Sequence, residues 1–139
     1  MTTSKVLPLL LLLALNCGCV LDLHPETIVR GQVILNGSDE PISNAAIIIR
    51  QIQVTNTIPQ NTSLVSSEMI LCDAEGYFEH KMERMDSASN FTIVAALWDE
   101  EQGTFVGQNR ICRIGEWVQC SGLNFGEVYE DFIIEITDL

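Results

Sequence analysis

The sequence predicts an all-β fold, a sandwich of about seven short antiparallel strands, and three observations carry that expectation. Apolar and β-branched runs of strand length recur from residue 28 onward. Clusters of Gly, Asn, Asp and Pro separate them. No segment keeps a helical apolar period, and only residues 82–89 leave room for a short helical turn.

Each strand has its own justification. Residues 28–35 form the first, ended by the turn cluster Asn36-Gly37-Ser38-Asp39-Glu40-Pro41. Residues 45–54 follow, rich in β-branched side chains. Residues 56–63 are polar and contain Pro59, so they read as a loop, and residues 64–72 supply the next strand. Asp73-Ala74-Glu75-Gly76 is a hairpin turn in which Gly76 supplies the positive φ. Residues 77–83, 91–98, 104–112 and 128–137 complete the set. With no internal repeat or linker, one domain is expected over residues 28–139.

Alternation then assigns faces. Glu79, Lys81 and Glu83 are charged, so Phe78 and Met82 point inward, with Tyr77 peripheral. In the last strand Phe132, Ile134 and Ile136 form the inward set. Residues 45–49 are apolar on both faces, as in a central or doubly covered strand. Ile34, Ile48 and Ile133 point away from the inward sets and are expected to form an apolar outer patch if the first, second and last strands share a sheet. The alternative is that residues 20–27 or the loop at 56–63 fold over them.

Upstream lies an export signal. Lys5 is the only charge before an apolar run from Val6 to Leu15, interrupted by Pro8. The run is shorter than the roughly 20 residues that a spanning helix needs, and small residues and Asp22 follow it. Leu15-Asn16-Cys17-Gly18-Cys19 resembles a bacterial lipoprotein box, with Asn16 where leucine is favoured. Residues 1–18 are thus expected to be a cleaved signal peptide, Cys19 the lipidated N-terminus and residues 19–27 a tether. Multiple acyl chains anchor a protein stably, which places the domain in the envelope, at the outer membrane or cell surface. A chain without lipid is secreted. The sequons at Asn36, Asn61 and Asn90 bear only on a eukaryotic glycoprotein, a setting that removes the lipoprotein reading.

Charge and cysteines narrow the chemistry. The chain carries 19 acidic and 7 basic residues, a formal net charge of −12, which excludes nucleic acid as a partner. Export leads to an oxidising compartment, and Cys112 and Cys120 flank a short segment suited to a disulfide across a hairpin. Cys72 is then left free and largely buried. His24 and His80 lie far from Cys112 and Cys120 in sequence, so no zinc set is expected there, and Asp73 and Glu75 belong to a turn where Asp and Gly are expected for backbone reasons. No cofactor is expected.

Gly31-Gln32-Val33, Glu40-Pro41-Ile42-Ser43-Asn44-Ala45-Ala46-Ile47 and Asp73-Ala74-Glu75-Gly76-Tyr77-Phe78 together resemble the carboxypeptidase regulatory-like domain of the transthyretin-like fold. The resemblance covers residues 28–97, with Phe132-Ile133-Ile134-Glu135-Ile136 similar to the closing strand. It implies Greek-key connections and a module that accompanies surface receptors and enzymes. Enzymes of related folds use a C-terminal tyrosine-arginine-glycine-serine motif or paired tyrosines and histidines on iron. This chain ends Glu135-Ile136-Thr137-Asp138-Leu139 and has no paired histidine motif. The expectation is a non-catalytic envelope module, membrane-anchored by its lipid, that binds another protein or a glycan. The alternative is a small secreted enzyme or inhibitor, and a pocket gathering His80 with carboxylates would favour it.

Overall fold

The computed structural model describes residues 26–137. Within them the chain is all-β: nine strands form two sheets, and no helix occurs among the described residues. The strands are β1 (Thr27–Leu35), β2 (Ala45–Thr55), β3 (Asn61–Leu71), β4 (Tyr77–Met82), β5 (Asn90–Asp99), β6 (Thr104–Gly107), β7 (Arg110–Ile114), β8 (Trp117–Val118) and β9 (Val128–Ile136). One sheet runs β4-β1-β9-β7-β8 and the other β3-β2-β5-β6.

Two expectations about strands are corrected. The single strand over residues 104–112 is two, because the chain leaves the four-stranded sheet after Gly107 and enters the five-stranded sheet at Arg110. Gln108 sits at this crossing and donates its N–H to Ala95 O at 2.9 Å, holding the step against β5. The sandwich is also not purely antiparallel: β1 and β9 pair in parallel, from Ile28 opposite Val128 to Leu35 opposite Ile136. Residues 82–89 form no helix, and Gln51 pins them instead. Its Nε2 donates to Glu83 O at 2.8 Å and its Oε1 accepts from Met85 N at 2.8 Å.

The core lies between the sheets and follows the period of two. Val29 and Val33 of β1, Phe78 and Met82 of β4, and Phe132, Ile134 and Ile136 of β9 meet Ile47 and Ile49 of β2 and Phe91, Ile93 and Ala95 of β5. All are buried, and Tyr77 is exposed. A bulge in β9, where Val29 faces Tyr129 but Gly31 faces Phe132, lets both aromatic rings point inward. Gly31 is needed there, because a Cβ would fall 2.8 Å from both the Cβ and the carbonyl carbon of Phe132. Gly76 has φ +78° and closes the β3–β4 turn, with Asp73 Oδ1 accepting from the N–H groups of Glu75 and Tyr77 at 3.0 and 2.9 Å.

The Cys112–Cys120 disulfide is present. It links β7 to the segment that borders β5, where Cys120 O accepts from Ile93 N–H at 2.9 Å. Cys72 is free and half-buried. Its thiol pKa is pushed up to about 11, first by burial and then by the neighbouring Asp73 carboxylate.

Candidate docking face

The expected isoleucine patch does not exist as a unit. Ile34 and Ile133 belong to the five-stranded sheet and Ile48 to the four-stranded one, so the second strand does not share a sheet with the first and last. Ile34 is moreover buried, where the returning loop brings Pro41 into a bridge with it. Around Ile133 the outer side of the five-stranded sheet is ionic. Arg113 Nε meets Glu135 at 2.9 Å, and Arg30 reaches both Glu79 and Glu130 at 2.8 and 3.0 Å.

Ile48 stands at the centre of a different apolar surface. It pairs with Met69 of β3 and Val94 of β5, which share its outward parity, though Met69 is exposed, Ile48 half-buried and Val94 buried. The same face carries Leu71 opposite Ala46, Leu64 opposite Ile52, and Trp98 opposite Phe105. Leu64, Met69, Leu71 and Trp98 are all exposed, Leu71 to 64% and Trp98 to 46%. The loop expected at residues 56–63 does not cover this face: residues 61–63 belong to β3, and the remaining loop, 56–60, is exposed, Ile58 fully so. Of residues 20–27, the other expected cover, 20–25 lie outside the described residues, as does Cys19, and Thr27 begins β1.

At one end the face runs into an open cavity of about 520 Å³. Leu71, Trp98 and Phe105 form its apolar wall, Ser43, Asn44 and Asp73 contribute polar groups, and the Trp98 and Phe105 rings meet edge-on at 5.2 Å. A larger cleft of about 950 Å³ lies at the other end of the sandwich, between Glu26, residues 81–87 and Phe125, with Arg84 over the Phe125 ring at 5.4 Å.

The electrostatics of the four-stranded face are unusual for this chain. Its outward positions on β2, β3, β5 and β6 include no Asp or Glu, although the chain has 19 acidic residues. Arg50 is the charged side chain on it, exposed between Ser67 and Thr92. Arg110 reaches the margin of the same sheet, where its Nε donates to Ile93 O at 2.8 Å. Its pKa is lowered, first by burial and then by the charge of Arg50. Arg30, Lys81 and Arg113 pair with carboxylates, whereas Arg50 and Arg110 have no ion pair among the described residues. Two neighbouring cations that repel each other, in an acidic protein, are suited to an anionic group brought by something else.

Sequence reasoning missed Arg50, although a lone cation at outward parity within an apolar strand was a readable signal. It also missed the Trp98–Phe105 pair, which forms only because β6 folds back on β5. His80 meets Glu68 alone, Nε2 to Oε2 at 3.0 Å, and lines neither cavity. Comparison with protein-family models, with curated proteins and with solved structures finds no match to this chain.

Proposed function

We propose that this protein is an exported, lipid-anchored envelope module that works without catalysis, by docking a partner protein on the outer face of its four-stranded sheet. The observation that carries this reading is the set of exposed apolar side chains Leu64, Met69, Leu71 and Trp98 on the outward side of this sheet, which carries Arg50 and no carboxylate. Contiguous apolar surface is costly to leave in water and marks interaction sites. The partner is an envelope protein whose apolar surface presents a carboxylate to Arg50. An aromatic or aliphatic anchor of that partner fills the cavity beside Trp98 and Phe105.

Membership of the carboxypeptidase regulatory-like group, with Greek-key connections, belongs to the same proposal. Its support is the placing of the motif glycines: Gly31 against the backbone of Phe132 and Gly76 in the β3–β4 turn. The lipid anchor is supported by the Gly18-Cys19 stretch.

Two measurements test the proposal. Mass spectrometry of the purified protein is expected to show an acylated Cys19 as its N-terminal residue, and an unmodified N-terminus further downstream overturns the anchor. A photo-cross-linker at position 98, on the face but away from the β3 edge, and at position 128, on the other sheet, is activated in the intact envelope. A protein adduct from position 98 that disappears with Arg50→Glu supports the docking face. Equal adducts from both positions, or an adduct indifferent to Arg50→Glu, contradict it.

A further inference from the structure

The four edges of the two sheets are not alike. β8 has two residues and β6 four, too little for a foreign strand to pair with. β4 presents Glu79 and Lys81, held by Arg30 and Glu26, and charged edges resist pairing. β3 is eleven residues long, contains no proline, and its single charged side chain, Glu68, is engaged by His80. A bulge at Val65, where Gln51 faces Ser66 but Ile52 faces Leu64, leaves residues 66–71 as the regular part of this edge.

The direction of the backbone groups follows from one bond. Cys72 N–H donates to Ala45 O at 3.0 Å. With the period of two, the N–H and C=O groups of Leu71, Met69 and Ser67 therefore point away from β2, toward the open edge. An open row of donors and acceptors on a long edge whose one charged side chain is already paired is a template for another strand.

We infer that this edge pairs antiparallel with the same edge of a second copy, about a two-fold axis at Met69. Met69 then exchanges both backbone bonds with its counterpart, and Ser67 lies opposite Leu71 of the other copy. Identical antiparallel strands match each other's bonding pattern without further design. The charge distribution selects this contact among those open to two copies. Each carries a formal charge of −12, and β3 is a stretch where the one carboxylate already has a partner. Pairing joins two four-stranded sheets into one continuous sheet and doubles the apolar face. The inference stands on the edge alone, independently of what docks on that face.

The test is sedimentation of the purified exported chain across micromolar concentrations, in detergent where the acyl group is retained. The wild-type chain is expected to be a dimer that tightens as salt screens the mutual repulsion. Met69→Pro removes an N–H that β2 does not use, which an edge strand tolerates. It is expected to weaken association about 100-fold with an unchanged circular dichroism spectrum. Met69→Lys places a charge on the edge and is expected to act alike, and it carries the decision if the proline variant fails to fold. A wild-type chain that stays monomeric, an assembly larger than two, or a dimer indifferent to the folded Met69 variants overturns the inference.

Discussion

Alanine at position 31 is expected to be among the most damaging small substitutions in this domain. β1 and β9 run in parallel at the middle of the five-stranded sheet, and the β9 bulge presses the backbone of Phe132 against Gly31. An added Cβ would sit 2.8 Å from two Phe132 atoms and closer still to its carbonyl oxygen. The opposing atoms are mostly backbone, so no flexible side-chain tip can swing aside. Overpacking typically costs about 1–3 kcal/mol, and this geometry belongs at the upper end, about 3 kcal/mol out of the 5–15 kcal/mol typical of a domain. Gly107 is the matched control. It is exposed on β6, and a Cβ there meets only Val94 Cγ1 at an ordinary 3.5 Å. Gly107→Ala is expected to be neutral or to stabilise by up to about 1 kcal/mol through the unfolded chain. Urea unfolding of both variants reads the difference as a shift in midpoint at constant slope. A Gly31→Ala loss below about 1 kcal/mol, or equal losses at both sites, refutes the close β1–β9 register.

Three further outcomes follow from the packing. Phe78→Ala is expected to cost about 3–5 kcal/mol and Tyr77→Ala little, since Phe78 is buried and Tyr77 exposed; the same unfolding curves check this. Replacing Cys112 and Cys120 together by serine removes a short loop closure worth about 2–3 kcal/mol, and the two-sheet circular dichroism spectrum is expected to survive under native conditions. For Cys72, the thiol raised to about 11 keeps its proton in the folded state over a range where the unfolded chain releases it. Stability is therefore expected to fall as pH rises from about 9 toward 11, and Cys72→Ser is expected to flatten that slope.

Local periodicity was legible in the sequence and long-range pairing was not. Alternation placed Phe78, Met82, Phe132, Ile134 and Ile136 inside correctly, because a strand with one charged face has a single way to bury the other. The turn at Asp73 to Gly76 was readable from backbone requirements alone. Sheet membership depends on contacts far apart in sequence, and parity says which way Ile48 points relative to its own strand but not which sheet that strand joins. The split between β6 and β7 was hidden because Gly107 to Arg110 carries no proline or dense turn cluster. The docking face was half visible: Ile48 was recognised as outward, while its companions Met69, Val94 and Leu71 came from strands whose partners were unknown.

The most direct test of the docking account is hydroxyl-radical footprinting of the two tryptophans, Trp98 on the four-stranded face and Trp117 on β8, in the intact envelope and in the purified chain. Both are exposed in the isolated domain, Trp98 to 46% and Trp117 to 76%, and Trp98 lies away from the β3 edge, so pairing of two copies does not cover it. The account predicts that Trp98 is protected in the envelope and reactive in the purified chain, with Trp117 oxidised equally in both. Equal oxidation of Trp98 in the two settings, or protection of Trp117 alone, would contradict it.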